Sequence, residues 1–190
     1  QIKTAEQDSR AKRITAYLNL MKEIVDKQFN ELKNSAFEKG SEITKYFDML
    51  PEYSELKRIY NEMMLSKDSE YVERLQNKLR DNITCGSINV NIMTKLDKAN
   101  YDSNNEQLPA EYNDAHAALR GYAQSDLNSS IIFSAGMNPK LYSYMESFKD
   151  FYPDAEGKVK KKIIIKVSDF RSALIQGKFL AQTLRLRANR

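Results

Sequence analysis

The sequence predicts an α/β (or α+β) fold: a helical N-terminal half, then three strand-helix units on a small, mainly parallel sheet. Three observations carry this. Apolar residues up to about Asn82 recur at three-four spacing, as on one face of a helix. Three short apolar, largely β-branched runs then appear, at residues 87–94, 129–136 and 161–169. Each is followed by a helix-like segment, and strands alternating with helices imply right-handed βαβ connections and parallel pairing.

The elements follow in order. Ile14, Leu18, Met21, Val25 and Leu32 share one helical stripe, widened by Phe29, and this helix is expected to end near Gly40. Ser41 is a plausible cap for a short helix carrying Tyr46, Phe47 and Leu50, stopped by Pro51. A third helix opens near Ser54 with Leu56, Ile59, Tyr60, Met63 and Met64; after a break at 66–69, a fourth aligns Val72, Leu75 and Leu79. In SINVNIMT, Ile88, Val90 and Ile92 alternate with Asn89, Asn91 and Met93, the pattern of a half-buried strand. A polar loop follows, and a helix is expected from Pro109. SSIIFSAG leads into NPKLYSYMESF, with Asn138 as N-cap and Pro139 at the first helical position. After the turn FYPDAEGK, KKIIIKVSD precedes a last helix to the C-terminus. The continuity of SIIFSA and IIIKV is that of strands covered on both faces.

The division is a helical region over 1–82 and a βα region over 83–190, which could equally form one continuous domain. A chain of 190 residues, 41% hydrophobic and 29% charged, can bury a sizeable core. No window approaches eighteen apolar residues, which argues against a membrane span, and QIKTAEQDSRAKR lacks the apolar core of a signal peptide. The chain opens on Gln1 rather than Met, so a processed or excised piece of a longer protein is expected. One cysteine, Cys85, allows no internal disulfide and no thiolate cluster for zinc, and suggests a reducing, cytoplasmic setting. A net charge of +4 is mild.

In parallel α/β sheets, ligands sit beyond the carboxyl ends of the strands, where helix N-termini offer free N–H groups. The first strand end carries Thr94, Lys95 and Asp97; the second Ser134, Gly136 and Asn138; the third Lys166, Ser168, Asp169 and Arg171. Lys95, Ser134, Gly136, Asn138, Lys166, Ser168 and Asp169 are therefore the candidate ligand-binding residues. The two lysines suit phosphate or carboxylate, and Gly136 suits close backbone approach. Each has a plainer reading. Ser168-Asp169 reads as a helix N-cap, Ser134-Ala135-Gly136 as an ordinary turn, and Lys95 as a solvated loop lysine. Neither G-x-G-x-x-G nor a P-loop motif occurs.

His116, the only histidine, lies among Ala115, Ala118, Leu119 and Tyr122 and reads as a packed helix residue; no metal set can be built around it. Arg171, Lys178, Arg185, Arg187 and Arg190 gather on the last helix. They could meet nucleic-acid phosphates, but a solvated face and a helix C-terminus account for them, so a nucleic-acid partner is not expected.

ALRGYAQSDLNSSIIFSAGMNPKLYSYMESF and KKKIIIKVSDFRSALIQGKFLA together resemble a stretch of large bacterial proteins associated with flavin-dependent, glutamate-synthase-like (β/α) barrels. The resemblance covers about residues 86–181. It implies a fragment or reduced relative of a barrel and flavin mononucleotide (FMN) as a cofactor. Such barrels have eight strands against three here, and no catalytic or flavin-binding residue is carried over.

The expected function is an enzyme-like α/β domain binding an anionic, phosphate-bearing small ligand at the strand carboxyl edge. The alternative is a helical protein-protein interaction module whose N-terminal helices dock a partner. In that case Leu18 and Val25, as exposed heptad-like positions, would permit a coiled-coil dimer. One parallel sheet would bring the candidate residues together; an antiparallel or scattered arrangement would separate them.

Overall fold

A computed structural model describes the chain except Gln1, Ala5, 95–97, Ala135 and 189–190, and the side chains of 185–188. The chain forms two compact units, residues 23–86 and residues 1–22 with 87–190; helix α1 (Ser9–Asn34) begins in the latter and ends in the former.

The 23–86 unit is helical. Helices α2 (Glu42–Asp48), α3 (Glu55–Leu65) and α4 (Ser69–Asn82) enclose Ile43, Phe47, Tyr60, Met63 and Leu79. Phe47 stacks on Phe37 and Tyr60 at 5.9 and 5.3 Å. The Ser41 and Asp68 side chains accept from backbone N–H groups in the first turns of α2 and α4, as helix caps do. Helix α1 stops at Asn34, six residues before the expected end at Gly40. The reason is tertiary: the Arg80 guanidinium donates to the carbonyls of Lys33 and Ser35 and sits 4.8 Å from the Phe37 ring, so terminal carbonyls find partners there. Gly40 instead takes a left-handed φ of 84° in the turn before α2.

The other unit holds strands β1 (Val90–Ile92), β2 (Ser130–Phe133) and β3 (Lys162–Ile165), parallel and in the order β1-β2-β3. Helices α5 (Asp114–Ala123), α6 (Pro139–Met145) and α7 (Phe170–Ala188) follow them in turn. The first strand is shorter than its alternating pattern; Asn89 meets β2 through its side chain, accepting from the Ser130 N–H. The helix expected from Pro109 is also divided. A 3-10 turn at Ala110–Tyr112 precedes Asn113, whose extended backbone starts α5 anew.

Register explains where the core lies. Val90, Ile131 and Ile163 align across the sheet, as do Ile92, Phe133 and Ile165, and all six pack with Leu119, Tyr142, Met145 and Leu180 of the helices. Crossovers of one hand that advance steadily from β1 to β3 deposit every connecting helix on one face. The opposite row is Asn91, Ile132 and Ile164, and Ile164 is 44% exposed. The sheet is thus covered on one face, not on both as the continuous apolar runs suggested. Leu18 is buried with this core rather than exposed on a heptad seam.

Candidate functional site

Strand order sets the carboxyl ends of the three strands side by side at one edge, each hydrogen-bonded to the next. The Ser134 N–H and hydroxyl both donate to the Ile92 carbonyl, at 3.3 and 3.2 Å, tying the end of β2 to that of β1. The Lys166 N–H donates to the Phe133 carbonyl at 2.9 Å, tying β3 to β2. Lys95 lies outside the described residues. Gly136 has a left-handed φ of 87°, and open space lies where a Cβ would stand, so a side chain there meets backbone strain and no neighbour. The Lys166 side chain is exposed and makes no ion pair with a described residue.

The remaining candidates work as caps. Asn138 Oδ1 accepts from the Leu141 N–H at 3.1 Å and starts α6. Asp169 starts α7: its carboxylate accepts from the Ser172 N–H at 2.7 Å, the Ser172 hydroxyl at 2.9 Å and the Ser168 hydroxyl at 2.7 Å. The Ser172 N–H leads the contacts that lower the Asp169 pKa, followed by the Ser168 and Ser172 hydroxyls. Ser168 and Asp169 thus satisfy each other and the helix start.

Beside Asn138 opens a groove of about 580 Å³, lined by Glu111, His116, Lys140, Ser143 and Tyr144 among others. None of the six sequence candidates among the described residues lines it. His116, on the first turn of α5, is 4% exposed, and its ring lies 4.9 Å from that of Tyr144. Tyr144 is positioned by Arg120, whose guanidinium donates to its hydroxyl at 2.8 Å, to the Glu111 carbonyl, and in bidentate fashion to Asp8. Burial works to lower the Arg120 pKa, but Asp8 and Tyr144 outweigh it and the guanidinium is held charged.

The groove presents an ammonium at Lys140, an imidazole at His116 and a phenol whose oxygen is already polarised by Arg120. Such a set can hydrogen-bond a polar ligand, and an anion would have to sit toward Lys140, because the Glu111 carboxylate on the same wall repels it. Lys140 follows the Asn138-Pro139 start signal, so its placement could have been read from sequence. The pairing of Tyr144 with Arg120 could not, because no spacing links α6 to α5 across the chain.

No protein-family model, curated protein or solved structure matches the chain.

Proposed function

We propose that this chain is an α/β domain that binds an anionic, phosphate-bearing small molecule at the carboxyl edge of its sheet. The supporting observation is the parallel order β1-β2-β3, with the ends of adjacent strands hydrogen-bonded to one another. In this reading Lys166 and Lys140 supply charge, and Gly136 leaves room for a ligand atom near the backbone. Ser134 offers its remaining lone pairs as acceptors. Asn138, Ser168 and Asp169 act indirectly by fixing the starts of α6 and α7. FMN is the first ligand to test, because the flavin-dependent barrels use it.

Isothermal titration with FMN, a sugar phosphate and inorganic phosphate tests the reading. Saturable binding is expected, weakened about tenfold by Lys166→Ala or Lys140→Ala, the loss typical of one charge-assisted hydrogen bond. Asp169→Ala is expected to retain most of the affinity. No saturable binding, or equal binding by the lysine variants and the parent, contradicts it.

A second reading assigns the 23–86 unit to protein docking, supported by exposed Met49, Tyr53 and Leu65. Cross-linking the parent chain and a Met49→Glu/Leu65→Glu variant in cells is its test. A partner captured equally by both contradicts that role.

A further inference from the structure

A larger cleft, of about 1150 Å³, lies between the start of α1 and the long loop joining β1 to α5. Its α1 wall follows from spacing: Arg10, Arg13 and Tyr17 fall at intervals of three and four and share one helix face. The opposite wall is a hairpin-like loop, closed by the bridge between Tyr101 and Gln107 and by the Leu108 N–H donating to the Asn100 carbonyl at 2.8 Å. Asn100 fastens the loop further, donating to the Tyr112 carbonyl at 2.6 Å. Gln7 spans the cleft and donates to the Tyr112 hydroxyl at 3.1 Å.

Most charge in the cleft is already committed. Asp8 is held by Arg120, and Arg10 pairs with Asp114. Glu6 accepts from the Lys3 N–H at 2.9 Å, and Asp102 accepts from the N–H groups of Asn104 and Glu106 within its own turn. Arg13 is different: it lines the cleft, is exposed, and makes no hydrogen bond or ion pair with a described residue. Beside it stand Tyr17 and, on the facing loop, Tyr101, 62% and 55% exposed. Arg13, Tyr17 and Tyr101 thus line one cleft and offer it a guanidinium, which suits an anion, and two phenol rings, which suit a flat apolar face. Glu111, shared with the neighbouring groove, and Asp102 beside Tyr101 also line the cleft and keep their negative charge, so an anion is repelled at those places and favoured at Arg13.

We infer that this cleft is a second ligand site, for a phosphate-bearing planar ring, the chemistry of a nucleotide. Arg13 takes the phosphate, and Tyr17 and Tyr101 receive the ring. The inference does not depend on the carboxyl-edge site, because none of its ligand contacts is shared with Lys140 or Lys166. The nucleotide can be free or part of a single strand, since both carry the same ring and phosphate.

The test titrates the full ¹⁵N-labelled chain with the common nucleoside monophosphates and, separately, with a short single-stranded oligonucleotide. Amide shifts are followed by NMR for the parent and for Arg13→Gln, Tyr17→Ala, Tyr101→Ala and Lys166→Ala. These four side chains are exposed, so the variants should fold. Saturable shifts are expected at residues 10–17 and 100–103. Arg13→Gln should weaken binding about tenfold or more, and either tyrosine variant about fivefold or more. Lys166→Ala should leave these shifts unchanged. Tighter binding of the mononucleotides identifies a free ligand, and tighter binding of the oligonucleotide identifies a strand. Absence of saturable binding to both, shifts confined to other residues, or undiminished binding by Arg13→Gln overturns the inference.

Discussion

The ammonium of Lys161, wholly buried, lies 3.1 Å from the Asp150 carboxylate. It also donates to the carbonyls of Ala123 and Ser125, at 2.6 and 2.7 Å, and sits 5.3 Å from the Tyr122 ring. One lysine therefore closes the C-terminus of α5, where carbonyls lack helical partners and the dipole favours a cation. Burial lowers its pKa, with Asp150 opposing. Replacing it with Met keeps the stem but strands those carbonyls. Lys161→Met should cost about 3 kcal/mol, within the range for breaking a buried charge pair, measured by urea unfolding.

Lys57 repeats the device in the 23–86 unit. Its ammonium donates to the carbonyls of Phe47 and Asp48, each at 3.1 Å, at the end of α2, with the Tyr60 ring 5.6 Å away. Its acid, Glu52, is more distant at 3.9 Å and exposed, so the carbonyls dominate. Lys57→Met should cost about 2 kcal/mol, while Glu52→Gln should change stability by less than about 0.5 kcal/mol. Equal losses in the two variants would assign the role to the ion pair instead.

Stability should also depend on acid. Burial works to raise the Asp150 pKa, but hydrogen bonds from Lys161 and Lys160 outweigh it and the value is lowered. A carboxyl with a depressed folded pKa adds stability above its unfolded pKa and loses it as pH falls through the folded one. The capping carboxylate of Asp169 titrates in the same sense. The melting temperature should therefore fall between about pH 4 and pH 2, less steeply in Asp150→Asn. An unchanged slope in that variant would show that Asp150 contributes nothing to it.

Gly121 offers a test of packing. It lies within α5, where alanine would ordinarily gain about 1 kcal/mol. A Cβ there, however, would stand 2.7 Å from Ile14 Cβ and 2.9 Å from the Ala11 carbonyl of α1. Gly121→Ala should destabilise by about 1–3 kcal/mol, and Ile14→Ala in the same chain should recover little of the loss, because alanine removes Cγ2 but keeps the Cβ and the Ala11 carbonyl stays in place.

How much of this was legible in sequence depends on whether a signal is local. Alternation and turn chemistry are local, and they located the three strands and the caps at Ser41, Asn138 and Asp169. The end of α1 was misplaced because Arg80, distant in sequence, supplies its terminal partners. The bare sheet face was hidden for a related reason: Ile132 and Ile164 carry the same apolar character whether or not a second helical layer exists. Nothing local in the KKK before IIIKV marks out its middle lysine, yet Lys161 is wholly buried. That burial depends on Ala123, Ser125 and Asp150, which only the folded chain assembles. The groove at His116 and Tyr144 was missed for want of any spacing that joins α5 to α6.

The proposed role of the carboxyl edge of the β1-β2-β3 sheet is to bind a phosphate-bearing ligand. Its most direct measurement is an NMR titration of the ¹⁵N-labelled chain with FMN and with inorganic phosphate. Saturable amide shifts are expected at Ser134, Gly136, Lys140 and Lys166, with the affinity weakened about tenfold in Lys166→Ala. Shifts that never saturate, or that leave those four residues untouched, would contradict it.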